Sequence, residues 1–442
     1  MTVKKLTKPV TVNPLKVSQT LGAVLALQGC YRSLPVIHGA QGCSAFSKAL
    51  LTRHFREPIA VQTSALQEMD VIFDANRNLE EALNTVLSKH RPDLIGVIGT
   101  ELTEVAGVDY QAMLKTYKRE RNLRDVLLFP VPLGDFRGSL EAGFAAAAEA
   151  LIDELIVLCG SRGPKSVNNR QITLLPGAML TPGDVMELKE LLASFGFEVI
   201  ALPDLSTSLS GHLLTGFSPL TRGGVPLDSM LQSLQSGLTI AVGSGMERPA
   251  RRLHNALGTP YQVFHGSMGL GASDEWMEFL RRISGEPVPV KYRWQRENLL
   301  DALLDAHFQF AGASAVVTLE PDHLVSVSGW LKELGIQPKA RVVPCESPAL
   351  TAMEGEIWIG DLDDAETLGQ GADLWIGSSH GAACAGRIGA AFLAAGFPVW
   401  SELGAHLNVS VGYRGAMEWV NKTGNALMRR EENRRESGVR NR

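Results

Sequence analysis

The sequence predicts an α/β protein of three Rossmann-like domains, each a small, mostly parallel sheet flanked by helices. Two observations lead there. Short apolar runs of strand length alternate with segments of helical periodicity, as in parallel sheets covered on both faces. The chain also has 442 residues, well past the ~250–300 at which a single core stops growing.

The elements follow in order. Leu34 to Ile37 reads as a strand, His38 to Gly42 as a glycine-bearing turn, and Ser44 onward as a helix. Leu94 to Ile98 and Val126 to Val131 are the next strands. In the stretch QITLLPGAML, Ile172, Leu174 and Leu175 mark a buried strand. Thr181-Pro182 is a helix start, with Thr181 as N-cap and Pro182 in the first turn. Val185, Leu188, Leu191, Leu192 and Phe195 then recur at helical spacing, Gly196 stops the helix, and Phe197 to Leu202 is a strand. The same grammar recurs in SAVVTLE, PDHLVSVSGWLKELG and ARVVPCE, and DLWIGSS adds another strand.

Boundaries follow from composition. The polar stretch 161–170 reads as a linker, and residues 273–310 as a long helical connector. The expected division is residues 1–165, 166–272 and 273–442, the last including a mixed-charge tail from Arg429 that reads as a solvated end.

Bulk properties exclude several functions. The formal charge of −5 gives no general attraction to nucleic acid or an anionic membrane. The most apolar stretch, Phe144 to Cys159, is interrupted by Glu149, Asp153 and Glu154, so no membrane span is expected. The N-terminus lacks the apolar core of a signal peptide, and a cytoplasmic location is the default. Five cysteines with no C-x-x-C pair argue against disulfides and against a self-contained zinc or four-cysteine cluster site. No phosphate loop, complete G-x-G-x-x-G fingerprint or G-x-S-x-G elbow is present, so a nucleotide- or sugar-binding enzyme is disfavoured.

Among candidate site residues, Cys43 stands at the strand–turn–helix junction. At a helix N-terminus, backbone N–H groups and the helix dipole stabilise anionic sulfur, the form that binds iron. Gly39 and Gly42 would let backbone approach a bulky inorganic ligand. Spacing alone leaves a second reading open, Cys43 as a small buried hydrophobe. Cys30, Cys159, Cys345 and Cys384 read as core, His380 as a structural histidine, and the basic run Arg53 to Glu57 as a solvated turn or a contact for an acidic partner.

The strings SQTLGAVLALQGCYRSLPVIHGAQGCSAF, RHFREP and GTELTEVAG resemble the nitrogenase component 1 family. DFRGSLEAGFAAA, LTPGD, LPDLSTSLSGHL, TRGG, IGSSH and AGFP extend the likeness over about residues 13 to 415. That family includes catalytic subunits, cofactor-scaffold subunits and protochlorophyllide reductase subunits. Its catalytic β subunit carries cysteines at three motif positions, occupied here by Ser18, Cys43 and Glu101. One thiolate of three remains. The resemblance therefore implies the β-like half of the scaffold on which the iron–molybdenum cofactor matures, and disfavours a catalytic β-type or protochlorophyllide reductase-like subunit. It implies that Cys43 is this chain's ligand to a [4Fe-4S] cluster shared at the subunit interface, with Ser18 and Glu101 lining the site. The partners implied are an α-like scaffold subunit in an α2β2 heterotetramer, which mainly holds the transient cofactor precursor, the nitrogenase iron protein, and cluster-donor and cofactor-carrier proteins. The role implied is assembly with electron transfer rather than independent catalysis.

Overall fold

The computed structural model describes residues 2–5, 8, 11–123, 125–134, 138–160, 166–213 and 216–436. The chain opens on a strand, β1 (Thr2–Lys5), whose pairing partner lies far along the sequence. The first sheet contains β2 (Val36–His38), β3 (Gln62–Thr63), β4 (Leu94–Gly99) and β5 (Leu127–Val131), in the spatial order β3-β2-β4-β5. The second contains β6 (Asn168–Pro176), β7 (Glu198–Ala201), β8 (Ser236–Val242) and β9 (Tyr261–Phe264), in the order β7-β6-β8-β9. The third contains β10 (Ser314–Thr318), β11 (Gln337–Val343), β12 (Glu356–Ile359), β13 (Leu374–Gly377) and β14 (Ala391–Ala394). Its order is β1-β12-β11-β10-β13-β14, with β1 on the edge. Every pairing with a defined register is parallel. This is the predicted fold class.

By contacts the chain divides into two compact units. One comprises Val17–Val185 and Phe197–Val263, the other Met1–Lys16, Met186–Gly196 and Phe264–Arg442.

Parallel strands covered on both faces read as near-continuous apolar runs. Accordingly β4, LIGVIG, is buried at every position. Glycines let the covering helices come close. A side chain on Gly96 would stand 2.4 Å from Leu27 Cδ1 of helix Gln19–Gln28. In that helix a Cβ on Gly22 would stand 2.0 Å from the Leu140 carbonyl oxygen, and one on Gly143 would stand 1.9 Å from that of Gln19. Helices Gln19–Gln28 and Leu140–Gly160 therefore touch backbone to backbone.

The helix expected after Thr181 runs from Pro182 to Ser194. Thr181 and Asp184 cap it reciprocally: Asp184 N–H donates to Thr181 Oγ1 (2.9 Å) and Thr181 N–H to Asp184 Oδ2 (3.0 Å). Gly196 leaves it at φ +83°.

Three details differ from the sequence reading. The connector is two helices, Leu270–Ser284 and Val290–Phe310, because Gly285 takes a left-handed φ of +73° and Pro287 and Pro289 follow. The charged tail is helical to Glu436 within helix Gly412–Glu436. Arg430 fixes it by donating to Asp373 Oδ1 and the Gly389 carbonyl, each at 2.7 Å, and Arg435 pairs with Glu431 one turn away. The expected linker yields to strand from Asn168. Its residues 161–165, residues 135–137 of the DFRG motif and residues 437–442 of the tail lie outside the described residues.

Candidate functional site

In the first sheet the strand order reverses between β2 and β4, which lie side by side with His38 paired to Gly99. Open parallel sheets bind ligands outside the carboxyl ends of their strands at such a reversal. The chain leaves β2 through Gly39 and Ala40 into helix Gln41–Phe55, and leaves β4 through Thr100 into helix Glu101–Val105. Cys43 and Glu101 therefore stand just beyond the carboxyl ends of adjacent strands. The start of helix Gln19–Gln28 joins the same edge. Gln19 Nε2 donates to the Gly134 carbonyl (2.6 Å), in the loop leaving β5.

Cys43 sits in the first turn of its helix, which starts at Gln41, three residues earlier than the sequence suggested, and its N–H donates to the Ala40 carbonyl (3.1 Å). The helix starts early because Ala40 is already in extended, N-cap geometry. Cys43 is exposed, unlike buried Cys30 and Cys384, and the buried-hydrophobe reading of it is thereby corrected. Burial pushes the Cys30 thiol up to about 12 and that of Cys384 up to about 11, so neither is a thiolate at neutral pH. Cys159 and Cys345 are half-buried.

The turn that carries Cys43 is tied to both neighbouring strands. Thr100 Oγ1 donates to the His38 carbonyl (2.9 Å), Thr63 Oγ1 to the Gly39 carbonyl (3.1 Å) and Gly39 N–H to Ser64 Oγ (3.2 Å). His38 is fully buried, and its Nδ1 lies 2.9 Å from Ser64 Oγ. Burial lowers its pKa to about 4, so it is neutral at pH 7.

The two glycines differ in role. A Cβ on Gly39 would meet Thr100 Cγ2 at 2.7 Å, so this glycine serves the protein's own packing. Among the described residues nothing lies within 4 Å of that position at Gly42, which leaves its side of the helix open to them. Ser18 caps helix Gln19–Gln28, its hydroxyl accepting from Leu21 N–H (3.3 Å). Glu101 is exposed at the start of its helix.

Exposed apolar side chains, which sequence reasoning missed, crowd the elements leaving the same strand ends. Phe46 follows β2 and is 64% exposed, and Val105 follows β4 and is 73% exposed. Met69, Ile72 and Phe73 lie on helix Glu68–Phe73 after β3, Phe73 being 76% exposed. Large apolar side chains left exposed on elements that leave one edge of a sheet are of the kind that contact surfaces use. The signal was legible in EMDVIF, whose helix buries no residue.

The other flagged residues stand elsewhere. His380 is exposed in the turn after β13, its ring edge-on to Trp400 at 4.6 Å. In the basic run His54 and Glu57 are buried, and the Glu57 carboxylate meets His212 Nδ1 at 2.9 Å. Among the described residues, no group of three His, Cys, Asp or Glu side chains is arranged to hold a metal ion. Nor is any helix there long and apolar enough to cross a membrane.

A family model described as nitrogenase component 1 type oxidoreductase matches residues 18–428, from the Ser18 cap into the last helix. The chain belongs to that family. It is 39% identical to the nitrogenase iron-molybdenum cofactor biosynthesis protein NifN of Nostoc sp., covering 97% of this chain and 95% of that one. It is 38% identical to the protein of the same name from Bradyrhizobium diazoefficiens, covering 97% and 92%. Among solved structures, one described as nitrogenase Cp1 at pH 6.5 superposes with a TM-score of 0.88 at 27% identity, over 97% of this chain and 95% of that one. The sequence-stretch resemblance and the fold it implied are both borne out. Membership in a component 1 family implies an α/β-type partner subunit and metal–sulfur clusters.

Proposed function

We propose that this chain is the β-type subunit of the scaffold on which the nitrogenase iron–molybdenum cofactor is matured, and that Cys43 is its ligand to a [4Fe-4S] cluster shared with an α-type subunit. The observation that carries this reading is the exposed Cys43 thiol at the strand-order reversal, on a sheet whose departing elements also expose Phe46, Val105 and Phe73. The names of the matched relatives support the assembly role.

The donor set fits a shared cluster and not a private one. A four-iron cluster takes four thiolates. At this edge the chain offers the thiol of Cys43, with the Ser18 hydroxyl and the Glu101 carboxylate at the other two motif positions. Three further thiolates would come from the partner, whose apolar face would cover Phe46, Val105 and Phe73. When bound, the cluster supplies one-electron transfer. This chain's residues hold and shield it: Thr100, Thr63 and Ser64 fix the turn that aims Cys43, and the apolar side chains exclude water from the joint. Under the same reading the assembly is a cytoplasmic α2β2 heterotetramer whose α-type subunit mainly holds the cofactor precursor. It is visited by the nitrogenase iron protein and by cluster-donor and cofactor-carrier proteins.

The test is iron and acid-labile sulfide content, with electron paramagnetic resonance after dithionite reduction, on the anaerobically purified heterotetramer. Cys43→Ala is expected to remove about one four-iron cluster per αβ pair together with its reduced signal. Unchanged iron and signal would make Cys43 a bystander at this surface.

A further inference from the structure

Among the described residues, the third sheet contains a buried cation with no counter-ion. Arg341 lies on β11 and is only 9% exposed. Its Nη2 donates to the Glu354 carbonyl (2.7 Å) and its Nε to the Glu356 carbonyl (3.2 Å). Both acceptors are neutral backbone atoms, and among the described residues no carboxylate pairs with this guanidinium. Burial accordingly lowers its pKa. Proteins rarely bury an unpaired charge, because the desolvation cost is met only by a partner of opposite sign.

The guanidinium borders a cavity of about 610 Å³ between β11 and helix Pro321–Glu333. Its walls include Val317, Val325, Leu331, Ile336 and Met353. Ser328 Oγ, also on the wall, is buried with no hydrogen-bond partner. At the rim Lys332 Nζ stands 3.6 Å from Glu354 Oε2, both side chains well exposed. A cavity of this size with apolar walls and a few convergent polar groups suits a small organic ligand.

The geometry points to a binding site for a small carboxylate with an apolar body, its carboxylate on Arg341 with Ser328 Oγ as a second donor and its body against Val317, Val325, Leu331, Ile336 and Met353. Arg341 has Nη1 donors to spare for a planar carboxylate after serving the two carbonyls. Nothing in this site touches the cluster-ligand reading, and either stands without the other.

Octanoate is the probe, titrated calorimetrically into the full-length chain co-purified with its partner subunit, with 1-octanol as the uncharged control. Octanoate is expected to bind saturably, and octanol about 10-fold or more weakly. Arg341→Met should weaken octanoate by roughly 10- to 100-fold, the worth of charge-assisted hydrogen bonds. Gly329→Phe leaves Arg341 intact and keeps the test open if Arg341→Met fails to fold. Gly329 lines the cavity with nothing within 4 Å of its Cβ position, so the ring would occupy the space and abolish binding. No binding to the native protein, equal binding of octanol, or octanoate binding that survives Gly329→Phe would each overturn the assignment. So would binding by the isolated chain that disappears in the complex, since a partner's side chain would then be the natural occupant.

Discussion

The first and second sheets share one strand order and differ where that order reverses. In the second sheet the reversal lies between β6 and β8, and the chain closes it with its own atoms. Gly177, leaving β6, has its Cβ position 2.5 Å from the Val242 carbonyl oxygen at the end of β8, and Met246 behind it is buried. Leu180 is buried in the same turn. In the first sheet the neck is equally tight, Gly39 against Thr100, but the residues beyond it open outward: Gln41, Gly42, Cys43, Glu101 and Leu102 are all exposed. Strand order makes the crevice, and the residues two to five positions past the strand decide whether it is filled from within or left for a partner.

The widest gap between the two crevices should be thermodynamic. Met246→Ala empties a filled position and is expected to cost about 2–5 kcal/mol in urea unfolding of the chain. Cys43→Ala, at an exposed position, should stay within about 0.5 kcal/mol. A comparable loss from both would make the thiol part of the core and end the distinction. The next effect is pH dependence. His38 ends β2 with a pKa of about 4, whereas Pro176 ends β6 and cannot titrate. Buried neutral His38 takes up its proton only in the unfolded chain between pH 6.5 and 4, so stability falls as pH drops through that window, by on the order of 1–3 kcal/mol. His38→Asn, which keeps an amide for Ser64, should flatten this part of the profile, and an unchanged slope would assign it to other groups. The smallest effect belongs to Ser18. Ser18→Ala removes the cap of helix Gln19–Gln28 and should cost about 1 kcal/mol, whereas Ser18→Asp should restore most of it. Equal loss in both variants would mean that the hydroxyl serves something other than the cap.

The fold was legible because its signals are local. Buried strands such as Leu94–Gly99 are apolar throughout, and Thr181-Pro182 announces a helix whatever surrounds it. Strand β1 escaped notice because TVKK carries no apolar run, and only its pairing with Glu356–Ile359 makes it a strand. The helical tail escaped because its order comes from Arg430 reaching Asp373, a contact that spacing along the chain cannot reveal. At the site, the glycine-bearing turn pointed to Cys43. That Gly39 answers to Thr100, and that Phe46, Val105 and Phe73 share one edge, depends on the neighbouring strand and so appears only in three dimensions. Arg341 was equally silent in sequence, since ARVV reads as an ordinary strand entry until its burial is known.

The pairing of β1 with β12 also sets a timetable. Residues 2–5 leave the ribosome long before Glu356–Ile359, the strand they must lie beside. At about 5–20 residues per second, translation separates the two by roughly 20–70 seconds. For that interval residues 2–5 lack the strand they pair with, while the two four-stranded sheets can already be complete. The third sheet gains an edge strand from residues made long before the rest of it, so its assembly waits for Glu356–Ile359.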